Sequence, residues 1–96
     1  MILDLFVTVC EAERGRLVEA GLSVTLVRAD DPPKPGIRLD AASRNGFAQL
    51  ALWETGELDL VIADRMTGDV IVNEHRQVTS NVGIADVLRT IEAHLV

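Results

Sequence analysis

From Phe47 to Val72 apolar and polar side chains alternate with a period of two, whereas the two ends of the chain repeat near 3.6. The first period belongs to half-buried strands and the second to amphipathic helices. In FAQLALW the positions Ala48, Leu50 and Leu52 are aliphatic, and in ELDLVIA so are Leu58, Leu60 and Ile62. How the hairpin between them closes decides whether these six share a face. A two-residue turn at Thr55-Gly56 sets Trp53 against Leu58 and mixes the faces. A three-residue loop, Glu54-Thr55-Gly56, with Gly56 as the left-handed residue of a G1 bulge, sets Leu52 against Leu58, Leu50 against Leu60 and Ala48 against Ile62. A slip of one residue destroys that segregation. The second register is therefore expected.

The other elements follow from the same reading. Leu3, Phe6, Val7, Cys10, Arg14, Leu17 and Gly21 recur at intervals of three and four, which predicts a helix ended by Gly21. Leu22–Ala29 reads as a strand, with Val24 and Leu26 on one face and Thr25 and Val27 on the other. The three prolines of Asp30–Gly36 remove donors and predict a loop. Ile37–Ala41 alternates as a strand, and Ser43, Asn45 and Gly46 mark a turn around Arg44. Asp64-Arg65-Met66-Thr67-Gly68-Asp69 predicts a second turn, followed by a strand from Val70 to Val78 with Val70 and Val72 toward the core. Ser80 is placed to cap a final helix carrying Ile84, Val87, Leu88, Ile91 and Leu95. The order is α-β-β-β-β-β-α. It predicts an α+β two-layer sandwich, a five-stranded antiparallel meander with the N- and C-terminal helices on its aliphatic face.

Composition narrows the function. The 96 residues suit a single domain over 1–96 with an aliphatic core, because 48% are hydrophobic and only 3% aromatic. Nine Lys and Arg stand against fifteen acids, a net charge of -6. Direct nucleic-acid binding needs clustered bases and is not expected. An acidic chain attracts basic partners and avoids anionic membranes. Asp4 and the nearby Glu11, Glu13 and Arg14 do not fit a signal peptide, and no stretch reads as a membrane span, so a cytoplasmic location is expected. The lone Cys10 lies on the apolar stripe and reads as a small buried hydrophobe.

The register leaves Phe47, Gln49, Ala51, Trp53, Glu57, Asp59, Val61 and Ala63 on the opposite face, with Ile71 and Asn73 beside them. An uncovered sheet face is ordinarily polar, yet here aromatic and branched residues interrupt it. Phe47, Trp53, Glu57, Asp59, Val61, Asp69 and Ile71 are the candidate partner-binding residues, with the only Trp expected at the centre as a hot spot. The alternative is that the proline loop or the N-terminal segment folds over Trp53 and completes the fold.

Catalytic signals are weak. His94 suits the last turn of a helix. His75 beside Glu74 offers a general base without a nucleophile at defined spacing. Glu57 and Asp59 share a strand face, but a short chain offers no deep sugar cleft for them. No metal-ligand spacing occurs, and the glycines punctuate turns rather than cradle phosphate, so no metal or cofactor is expected. The residues point to a non-enzyme.

The stretch GFAQLALWETGELDLVIADRMTGDVIVNEH resembles the central region of the TriTu-type immunity proteins of contact-dependent and polymorphic toxin systems. Leu52, Trp53, Glu54, Gly56, Asp59, Leu60, Thr67 and Gly68 carry the likeness, and the flanking helices extend it over most of the chain. The resemblance implies an antitoxin that binds a nuclease toxin whose action involves elongation factor Tu and transfer RNA. It assigns no binding residues. Arg65 and the three-proline loop depart from the family pattern. A structural or adaptor module forming a homodimer through the same sheet face is the alternative.

Overall fold

The computed structural model describes residues 2–29 and 34–96, so the expected proline loop falls outside the described residues up to Pro33. The elements are α1 (Ile2–Glu19), β1 (Ser23–Ala29), β2 (Gly36–Ala42), β3 (Gly46–Trp53), β4 (Glu57–Asp64), β5 (Val70–Gln77) and α2 (Asn81–Leu95). The strands form one antiparallel sheet in the order β1-β2-β3-β4-β5. Both helices pack on the same side of it, as the two-layer expectation required.

The hairpin between β3 and β4 has the expected register. Leu52 pairs with Leu58, Leu50 with Leu60, and Ala48 with Ile62. The Gly56 N–H donates to the Trp53 carbonyl at 2.9 Å, and Gly56 has φ +89°. All six aliphatic residues are buried, together with Ile37, Leu39 and Ala41 from β2. From above they meet Leu3, Phe6, Cys10 and Leu17 of α1 and Ile84, Val87, Leu88, Ile91 and Leu95 of α2. Burial of these side chains supplies the driving force for the layer, at roughly 25 cal/mol per Å² of apolar surface.

Local chemistry ends each helix. Leu22 N–H donates to the Leu17 carbonyl and Gly21 N–H to that of Val18, so α1 closes in a Schellman motif. Leu22 is the buried residue of that motif rather than the first of β1. Ser80 caps α2, its hydroxyl accepting from Gly83 N–H. The far end of α2 is held by the β2–β3 turn: Ser43 Oγ and Asn45 Nδ2 both donate to the Leu95 carbonyl, at 2.6 and 3.1 Å. Along the sequence Ser43 and Asn45 show only turn character. Their capping role arises because the turn lies under a helix remote in sequence.

One face assignment is corrected. Ile62 pairs with Val72 but Ala63 pairs with Val70, so Ile71 is the extra residue of a β-bulge. The bulge moves Val70 off the core side to lie beside Ala63 on the helix-free face, and it is exposed. Beyond it Val72 packs on the core, and Glu74 and Arg76 follow on the same side. Arg76 donates there to Glu74, to Asp86 at 3.2 Å and to Thr90 at 3.5 Å, tying β5 to α2.

A sheet face without helices

Strand parity puts Trp53 on the helix-free side, in line with Phe47, Gln49 and Ala51. The antiparallel register sets out the face in rows. Ala42, Phe47, Ala63 and Val70 lie across one end, and Arg38, Ala51, Asp59 and His75 lie across the middle. Gly36 and Trp53 pair at the opposite end, with Glu57 at the start of β4.

Phe47 and Trp53 are six residues apart on one strand, roughly 20 Å. Trp53 therefore sits at an end of the face, not at its centre as expected. The candidate residues fall into separate groups. Phe47 and Val61 border a shallow hollow of about 380 Å³ with Ala42, Ala63, Gln49 and Asp40. Val70 and Ile71 are exposed at the same end of the sheet, and Asp69 stands in the adjoining turn. The Arg65 guanidinium lies 4.4 Å from the Phe47 ring centroid and donates to the Ser43 carbonyl.

At the other end Trp53 is half-buried, and among the described residues its cover comes from Lys34 and Gly36. The indole packs against Gly36, where an added Cβ would lie 3.3 Å from Trp53 Cδ1. The Lys34 ammonium lies over the ring, 5.2 Å from its centroid, and bonds to Glu57 Oε2 at 2.7 Å. That bond holds the Glu57 carboxyl below its ordinary value, with a smaller contribution from His75. The ring thus faces away from the helices, and Lys34 and Gly36, from the end of the expected proline loop, cover part of it.

In the middle Asp59 Oδ1 and His75 Nδ1 lie 2.6 Å apart, both exposed. Glu74 is on the opposite side of the sheet, bonded to Arg76, so the pairing of His75 with Glu74 does not exist. Antiparallel register made the true partner of His75 a residue sixteen positions away. Arg38 bonds to Asp40 at 3.2 Å. Asp40, Glu57 and Asp59 each sit beside a basic side chain, and the face is less acidic than the chain's net charge implies.

Cys10 is buried in the core as expected, and burial pushes its thiol up to about 12. Among the described residues no group of three or more His, Cys, Asp or Glu is placed to hold a metal ion. No described helix is long and apolar enough to cross a membrane.

A family model described as immunity protein TriTu matches residues 4–91, from the first turn of α1 into the last turns of α2. The chain belongs to the TriTu immunity proteins. The match takes in all five strands, and the Leu-Trp-Glu and Asp-x-x-Thr-Gly segments bound β4 at its two ends. The family gives this protein an immunity role and implies a toxin as its partner. No curated protein matches the chain.

Proposed function

We propose that this immunity protein neutralises a nuclease toxin by direct, non-enzymatic contact through its helix-free sheet face, in the cytoplasm of the cell it protects. The observation that carries this reading is the exposure of Phe47, Val61 and Ile71 on or beside a sheet face left open by the helices, in a member of an immunity family. Trp53, Glu57, Asp59 and Asp69 extend the contact along the strands and around the adjoining turn. Aromatic and branched side chains supply the apolar anchors of a protein interface, and its polar rim sets orientation. The excess of acid over base speeds encounter with a basic toxin domain.

Coexpression with the product of the gene immediately upstream, tested as the cognate toxin, checks the reading, with rescue of growth as the expected result. Intact, folded protein that fails to rescue rejects it. Phe47→Ala and Trp53→Ala should each weaken toxin binding by about 2 kcal/mol, measured by calorimetry, with little change in Tm. A Trp53→Ala protein that unfolds assigns the indole to completing the fold instead. Light scattering of the free protein at micromolar concentration should show a monomer; a dimer would give the same face to a second copy.

A further inference from the structure

The ends of the face differ in chemistry, and the Trp53 end has the form of a receptor that is already filled. Three elements converge there. Lys34 precedes β2, Trp53 ends β3 and Glu57 begins β4. The Lys34 ammonium lies 5.2 Å from the indole centroid and 2.7 Å from Glu57 Oε2. A ring face attracts a cation through its quadrupole, and a carboxylate beside it supplies the counter-charge. Gly36 lets the indole lie against β2, since an added Cβ would be 3.3 Å from Cδ1 and 3.1 Å from the Leu52 carbonyl. The ring is therefore held in place before any partner arrives.

The present occupant is loosely held. The side chains of Lys34 and Glu57 are each 43% exposed, and an ion pair so open to solvent is weak. The lysine stem is flexible, and the backbone at this point is anchored separately by Glu54 N–H donating to the Pro35 carbonyl. Lys34 can thus swing away without moving β2. With its ammonium gone, the Glu57 carboxylate would stand beside the indole without its present partner.

We propose that the Trp53–Glu57 corner is a receptor for a cationic side chain of the toxin, an arginine, and that Lys34 fills it as an internal stand-in until the complex forms. The proposal rests on the immunity reading above. A guanidinium suits the corner better than an ammonium because its plane stacks on an indole while its fork meets a carboxylate with two donors. Lys34 then acts as a mild competitor that the toxin displaces, and not as a contact.

Trp53 is the only tryptophan, so its fluorescence reports on the corner directly. The full-length Lys34→Ala protein is titrated with methylguanidinium chloride at constant ionic strength, with circular dichroism confirming that it stays folded. A saturable change in emission is expected in Lys34→Ala. Wild type should need about fivefold more ligand, and Lys34→Ala/Glu57→Gln should show no saturation. Against the cognate toxin, Lys34→Ala should bind as tightly as wild type or tighter, and Glu57→Gln about tenfold more weakly. An unsaturable response in Lys34→Ala overturns the proposal. So does a tenfold loss of toxin affinity in a folded Lys34→Ala protein, which would make Lys34 itself the contact. If wild type binds no toxin, the immunity reading fails, whereas the methylguanidinium titration still judges the corner by itself.

Discussion

Two glycines show how differently one residue type can be used here. Gly15 lies inside α1, exposed, and a Cβ built on it meets nothing within 4 Å. Gly56 has φ +89°, and a Cβ there would come 2.5 Å from the Val78 carbonyl oxygen. Its own carbonyl accepts from Val78 N–H at 2.8 Å, so the β3–β4 loop and the exit of β5 are stitched together at this point. Gly15→Ala should stabilise the protein by up to about 1 kcal/mol, because alanine loses less backbone entropy in a helix. Gly56→Ala should destabilise it by about 1–3 kcal/mol through left-handed strain and a backbone clash. Urea titrations of the two variants against wild type check both signs. The turn function of Gly56 was legible in the sequence from face segregation alone. Its closeness to Val78 was not, because that contact depends on the register of β5 against β4, which a bulge shifts.

At the scale of elements, the two edge strands share a device. On β1, Arg28 reaches Asp4 of α1 at 2.9 Å. On β5, Glu74 and Arg76 face α2, and the strand carries a bulge at Ile71. Charged side chains turned toward the covered face, together with a bulge, keep an edge from accepting another strand. Replacing both inward charges of β5, in Glu74→Val/Arg76→Val, should therefore promote self-association at micromolar concentration, seen as a rise in mass by light scattering. A double variant that stays at the wild-type mass would show that these charges do not guard the edge. Period-two alternation by itself carries Val70 and Val72 straight into β5 and places both toward the core. It could not see that the bulge removes Val70, nor that Glu74 and Arg76 keep the parity of a core strand while forming an ionic tie. A charged residue at a core-facing position looks like solvent exposure until the helix above it is known to carry Asp86 and Thr90.

For the whole molecule, exposed ion pairs fasten one part of the chain to another. Arg28 bonds Asp4 and holds its carboxyl below the ordinary 3.8, and Lys34 does the same to Glu57 relative to 4.5. A carboxyl held low in the folded state adds stability above its unfolded value and loses it as pH falls through the folded value. Urea midpoints should therefore stay level on the neutral side of these ordinary values and decline gently below about pH 4. The decline should be shallow because both carboxyls are open to solvent. A steep loss of stability already at pH 5 would contradict this assignment. Bulk acidity acts at the same scale. A net negative charge attracts basic partners over long range, whereas the pairing of Asp40, Glu57 and Asp59 with basic neighbours brings the local charge of the sheet face closer to balance.

The sequence by itself determined the secondary elements, the meander, the register of its central hairpin and the side to which the indole turns. These depend on periodicity and turn chemistry, which act between near neighbours and are written along the chain. Tertiary structure alone decided that Trp53 lies at an end of its face under Lys34, that His75 meets Asp59, that a bulge turns Val70 outward and that a turn caps α2. Each of these depends on which distant segments become neighbours once the strands pair and the helices settle on them. Alternation states which way a side chain points, and only packing states what it meets there.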